Sequence, residues 1–185
     1  SDTAGGPYDK CAVHKTTASC VCAGVNAVFS VCFGRGYVDA KQKGRVMKHR
    51  SDFPRTVIEW PDQRIAMPDG VELSVRIWLP ENAATNPVPA VLEHLPYRKR
   101  DGTVVRDALT HPYLAGHGYA CVRVDMRGNG DSDGLMLDEY SEQELKDAED
   151  VIAWLVAQPW STGRVGMMGI SWGGFNGLQV AARQP

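Results

Sequence analysis

Three short apolar runs, at residues 90–95, 120–125 and 165–170, are separated by two stretches whose apolar residues recur at helical spacing. That alternation limits the fold more than any other feature. Strands joined through a helix lie parallel in one sheet and are connected by right-handed crossovers. The first helix is expected over 103–117, closed by Gly116 and Gly118. The second opens on Ser141-Glu142-Gln143-Glu144, a capping box. Behind it Leu145, Ala148, Ile152, Leu155 and Val156 form one apolar face, running to about Gln158 before Pro159. A third helical pattern covers 172–183.

A hairpin precedes this series. Residues 65–67 lead into Pro68-Asp69-Gly70, where Pro fixes φ and Gly accepts a positive one. Val71, Leu73, Val75, Ile77 and Leu79 then alternate with Glu72, Ser74, Arg76 and Trp78, which predicts a half-buried strand. A Pro-rich link with Pro80, Pro87 and Pro89 follows. The expected class is α/β, a mostly parallel sheet with an antiparallel edge hairpin. Its last strand, 165–170, is apolar on both faces and would be central in a complete sheet.

Residues 1–46 are different material. Residues 1–50 hold eight Lys/Arg against three Asp, although the whole chain of 185 residues is at −2. Four of the five cysteines (Cys11, Cys20, Cys22, Cys32) also lie there. Their spacing lacks the paired C-x2-C knuckles of a zinc ribbon, so no metal is expected. Residues 18–34 are small and apolar but lack a clean cleavage site, and a cytoplasmic location is expected. This segment is set aside as an unassigned leader, with Met47 as the start of the patterned region. The near-neutral charge argues against nucleic-acid binding through phosphate neutralisation. No run of about 20 apolar residues is present to span a bilayer.

Gly169-Ile170-Ser171-Trp172-Gly173 fits G-x-S-x-G. Alone the motif is unspecific. Here it sits between an apolar strand and a helix, the setting that raises a nucleophilic serine on a strained turn. Gly169 and Gly173 let that turn pass close to its neighbours, and the helix start supplies free N–H groups near Ser171. The competing reading is a phosphate cradle, but the loop lacks the lysine of a P-loop. Oxyanion donors are expected from the Trp172 backbone and from the loop at 95–101, where Tyr97 offers either an O–H donor or a packed ring. The basic trio Arg98-Lys99-Arg100 reads as a solvated or salt-bridged turn. A base and an orienting carboxylate should follow the serine, yet no Asp, Glu or His occurs after Ser171. His94 is expected to end a strand and His117 to cap a helix.

Four motifs in order carry a resemblance: Met67-Pro68-Asp69-Gly70-Val71-x-Leu73, Pro96-Tyr97-Arg98-Lys99, Asp125-Met126-Arg127-Gly128-Asn129-Gly130-x-Ser132-x-Gly134, and Gly169 to Gly174. Over 52–185 they resemble the cocaine-esterase and Xaa-Pro dipeptidyl-peptidase group of α/β-hydrolases. The resemblance implies an α/β-hydrolase fold, incomplete here, with 47–185 as the N-terminal part of the catalytic domain. It implies Ser171 as nucleophile, Tyr97 as oxyanion donor, the Trp172 N–H as the second donor, and no cofactor. Asp125 and Arg127 would be a structural strand-end pair. The implied substrates are a small ester or a short peptide or amide. Family members carry the catalytic Asp and His further on, so the 185 residues alone are expected to be inactive. The alternative is a non-catalytic truncated module.

Overall fold

The computed structural model describes residues 52–185. The leader at 1–46, its four cysteines and the proposed start at Met47 lie outside the described residues. The elements are β1 (Val57–Ala66), β2 (Glu72–Pro80), β3 (Val88–Leu95), α1 (Val104–Gly116), β4 (Ala120–Asp125), α2 (Glu142–Val156), β5 (Ser161–Met167) and α3 (Trp172–Arg183). The fold is the α/β sheet with an antiparallel edge hairpin that the pattern implied, and it is the incomplete α/β-hydrolase arrangement that the resemblance implied.

One five-stranded sheet has the order β1-β2-β4-β3-β5. β2 is antiparallel to both β1 and β4, and β3, β4 and β5 are parallel. The register of β1 against β2 shifts between Trp60 and Gln63, around Pro61, which has no N–H for the ladder. β1 is an edge strand, where such a break is tolerated.

One burial pattern and two boundaries differ from expectation. β2 is not half-buried, because both of its faces are covered. Leu73, Val75, Ile77 and Leu79 face the main core with Val151 and Leu155 of α2. Trp78 packs on the opposite side with Ala115 of α1 and Cys121 of β4. The Pro-rich link is shorter than read, since Pro80 ends β2 and Pro89 lies inside β3 at a register shift against β5. β5 starts and ends earlier than 165–170, and its Thr162, Gly163 and Arg164 are exposed at the sheet edge. After Met167 only the Met168 N–H still reaches β3, at the Leu92 carbonyl, before the chain turns.

The connectivity places the site. The chain leaves β3, crosses through α1 to β4 on one side, and crosses back through α2 to β5 on the other. In open α/β sheets, ligand crevices form where strand order reverses, outside the carboxyl ends of the strands. Here that is the shared end of β3 and β5. The loops that leave those two ends carry Tyr97 and Ser171.

Candidate active site

Ser171 is the N-cap of α3, with φ 51° and ψ −118°. A positive φ is costly for a residue with a Cβ, so the tertiary structure must hold it there. Two glycines make that fit. A Cβ on Gly169 would lie 2.5 Å from the Gly173 carbonyl carbon. One on Gly173 would lie 2.8 Å from Leu95 Cδ2 of β3. The strand-to-helix turn is therefore tighter than any side chain at 169 or 173 permits. Ser171 is exposed at its apex, and its side chain makes no cap hydrogen bond to α3.

The Trp172 backbone N–H points to the Tyr97 phenolic oxygen at 3.4 Å. The sequence motifs thus bring Ser171, Trp172 and Tyr97 to one place. Tyr97 leaves the end of β3 on a loop pinned at two points. Arg123 Nη1 donates to the Leu95 carbonyl at 3.2 Å. The Lys99 N–H donates to Asp125 Oδ1 at 2.6 Å. Lys99 is fully buried, and its ammonium lies 2.5 Å from Asp131 Oδ2 and 3.4 Å from Asp125 Oδ2. Of the two readings of the basic trio, solvated or salt-bridged, the second holds. Its central member is enclosed by the loop after β4.

Asp125 and Arg127 both act at the end of β4, but not as a pair. Asp125 also accepts from the Asp131 N–H at 3.0 Å. Arg127 makes a two-pronged contact with Asp147 of α2, 2.8 Å at each oxygen, and reaches Asp69 of the hairpin turn at 2.8 Å. One residue closes the glycine-rich loop and the other ties it to α2 and the hairpin.

None of the described histidines is hydrogen-bonded to Ser171. His94 lies near the end of β3, as expected, fully buried, with neither ring nitrogen hydrogen-bonded. Burial lowers its pKa to about 4. It borders a cavity of about 110 Å³ under Leu135, Leu137 and Asp147. His111 is buried on α1, with Nδ1 3.3 Å from the Asp107 carbonyl and Nε2 3.4 Å from Glu93. His117 is the C-cap of α1, and its Nδ1 lies 2.7 Å from the Tyr113 carbonyl.

Glu93, Asp107 and His111 bring three metal-ligating atoms within 4.8 Å of one another. That donor set does not suit a cation. Arg106 bonds both carboxylates and Arg123 bonds Asp107, so two guanidinium charges already offset them. Arg123 also donates to Thr103 Oγ1, so the network joins β3, β4 and the start of α1 beneath the Tyr97 loop.

Sequence reasoning missed Lys99, Arg123 and Glu144. Arg123 did leave a signal: a lone cation inside an otherwise apolar strand calls for a buried partner. Glu144 was read only as a cap. Ser141 Oγ does accept from the Glu144 N–H at 3.2 Å. The Glu144 carboxylate, however, turns to the Tyr140 N–H at 2.8 Å, to Trp172 Nε1 at 2.7 Å and to Asn176 Nδ2 at 2.6 Å.

Known proteins resemble this chain in sequence and fold. The cocaine esterase of Rhodococcus sp. (strain MB1 Bresler) is 36% identical over 118 residues, covering 63% of this chain and 20% of that protein. A putative serine esterase of Mycobacterium tuberculosis (strain CDC 1551 / Oshkosh) is 29% identical over 152 residues, covering 73% and 24%. The crystal structure of a CocE/NonD family hydrolase from Staphylococcus aureus superposes with a TM-score of 0.61 at 26% identity, over 70% of this chain and 26% of that one. The chain thus spans about a quarter or less of the length of the curated relatives it matches. The family model for X-Pro dipeptidyl-peptidases matches residues 69–185, from the hairpin turn through the serine elbow to the end of α3, and the chain belongs to this S15 family.

Proposed function

We propose that this chain carries the nucleophile and the oxyanion hole of a serine hydrolase that cleaves ester or amide bonds through an acyl-enzyme. The observation that carries the reading is the strained Ser171 at the apex of the β5–α3 turn, with the Trp172 N–H and the Tyr97 phenol converging beside it. Ser171 Oγ attacks the substrate carbonyl carbon while a histidine takes its proton. The carbonyl oxygen becomes an oxyanion and receives the Trp172 N–H and the Tyr97 O–H. Collapse expels the alcohol or amine, which takes the proton back from the imidazolium, and water releases the acyl group by the reverse sequence.

The base and its orienting acid are assigned to residues outside this chain. No Asp, Glu or His lies between Trp172 and Pro185. Among the described histidines, His111 and His117 each face a backbone carbonyl of α1, and His94 is fully buried with neither ring nitrogen bonded. Residues 47–185 are taken as the N-terminal part of the catalytic domain, with 1–46 outside it. No residue of the site calls for a metal or cofactor in this route. The substrate class is a small ester or a short peptide or amide, as the names of the esterase and dipeptidyl-peptidase relatives suggest. No helix among the described residues is long and apolar enough to cross a membrane.

The test is Ser171→Ala in the full-length protein, assayed with a p-nitrophenyl ester. Loss of a triad nucleophile costs on the order of 10⁶-fold in kcat. Retention of most of the turnover would remove Ser171 from this role and favour a non-catalytic module.

A further inference from the structure

We propose that Glu144 is a positioning residue of the serine elbow, acting through Trp172; the inference rests on the reading of Ser171 as nucleophile and of the Trp172 N–H as an oxyanion donor. Glu144 is 5% exposed. Among the described residues no cation pairs with its carboxylate. Both oxygens are instead taken by neutral N–H donors. Oε1 accepts from Trp172 Nε1 and Asn176 Nδ2, and Oε2 accepts from the Tyr140 backbone. Burying a carboxylate without a counter-ion is unfavourable. Leu145, Ala148 and Val180 fill the neighbouring space between α2 and α3 with apolar groups, so packing alone does not explain a carboxylate here.

Its three bonds have one geometric effect. Trp172 and Asn176 are four residues apart and face the same side of α3. A single oxygen that holds both fixes the rotation of the first turn of α3 about its axis. Trp172 directly follows Ser171, whose φ of 51° and ψ of −118° set the peptide plane between them. Locking the indole therefore aims the Trp172 N–H. The third bond secures Tyr140, itself at φ 54°, and the Tyr140 ring packs on Trp172 and Phe175 with centroids 4.9 and 4.7 Å apart. Glu144 thereby clamps the elbow to the loop ahead of α2.

The experiment is Glu144→Gln in the full-length enzyme. An amide keeps the size of the side chain but has one acceptor atom where three N–H groups need two. Full loss of an oxyanion donor costs about 10²–10³-fold, and a misdirected one is expected to cost about 10–100-fold in kcat with little change in KM, because the charge exists mainly in the transition state. In ¹⁵N-tryptophan-labelled protein the Trp172 indole resonance, assigned by its loss in Trp172→Phe, is expected to shift in Glu144→Gln. Val151→Ala, a core change on the same helix, is the stability control and is expected to keep the parental kcat well below its melting temperature. A Glu144→Gln enzyme with parental kcat, an unshifted indole, or a loss matched by Val151→Ala would overturn the inference while Ser171→Ala still abolished turnover. Activity surviving Ser171→Ala would overturn the underlying reading instead. If Glu144→Gln does not fold, Trp172→Phe decides: it removes the indole donor and keeps Glu144, and its kcat is expected to fall, whereas a parental value sinks the proposal.

Discussion

Tyr97 Oη stands 3.4 Å from the Trp172 backbone nitrogen, across 75 positions of sequence. The two meet because β3 and β5 are parallel neighbours and their carboxyl-end loops leave the sheet side by side. The Trp172 N–H donates to the phenol oxygen, and in the proposed oxyanion hole both groups instead donate to the charge that appears only as the carbonyl is attacked. Tyr97→Phe in the full-length enzyme is expected to lower kcat by about 10²–10³-fold with little effect on KM. Steady-state kinetics on an activated ester would check this. A change confined to KM would make Tyr97 a substrate-packing residue.

The Tyr97 loop depends on Lys99. Its ammonium is enclosed with the Asp125 carboxylate, which is itself fully buried. Lys99→Met removes the cation and leaves that carboxylate behind. Breaking a buried pair from one side costs about 3–5 kcal/mol, because the remaining carboxylate keeps the Lys99 and Asp131 N–H bonds but loses its cation. Urea denaturation should show the midpoint falling with an unchanged slope. The double variant Lys99→Met/Asp125→Asn should lose less than Lys99→Met alone. A single variant within about 1 kcal/mol of the parent would show that the loop is held by other contacts.

The sequence carried most of the fold because its signals are local. The 72–79 alternation, the Ser141 cap and the G-x-S-x-G turn each depend on neighbours a few residues apart, and each lies where expected. What was not legible is long-range. Lys99 looks like a surface cation until Asp131 folds over it, 32 residues away. Glu144 satisfies a helix-cap template completely, so nothing local hints that its carboxylate reaches Trp172, 28 residues on. The limits of β5 were misplaced because residues 168–170 are as apolar as a strand while their backbone already turns toward Ser171. The full burial of β2 was missed because alternation registers one apolar face. It does not show that Trp78 is capped by α1 on the other.

The glycines of the elbow make a graded test. At Gly169 an added methyl meets the Gly173 backbone at 2.5 Å, and backbone cannot yield without opening the first turn of α3. At Gly173 it meets the Leu95 side chain at 2.8 Å, which can shift only at the expense of β3 packing. At Gly177 it would meet only Met167 Cβ, at an ordinary 3.7 Å. Gly169→Ala is therefore expected to lower kcat by up to about 10²-fold, since small displacements of a nucleophile are that costly. Gly173→Ala should do less harm. Gly177→Ala should be neutral or raise stability by up to about 1 kcal/mol, because alanine is the better helix former. Thermal melts with parallel ester assays would rank the three. A harmless Gly169→Ala would contradict the tight turn.

His94 predicts an acid limb in stability. Burial holds its pKa at about 4, below the ordinary 6.5, although the nearby Asp147 charge pulls the other way. Between those values the unfolded chain binds a proton that the folded imidazole refuses. The contribution of His94 is therefore fully present above about pH 6.5 and is lost as pH falls toward 4. Two pKa shifts of opposite chemistry stay out of this window. Asp62 and Asp131 are held below the ordinary 3.8, chiefly by hydrogen bonds from Ser74 and Lys99, so their contributions persist until the pH drops below that value. At about pH 5.5 the His94 effect alone amounts to roughly 1.4 kcal/mol. His94→Leu, close in volume and with no proton to gain, should flatten that limb. It should also be no less stable at neutral pH, because it removes two ring nitrogens that are buried without partners. Denaturant unfolding of parent and variant at about pH 7.5 and 5.5 measures the difference, and equal losses in the two proteins would show that His94 gains its proton freely in the fold.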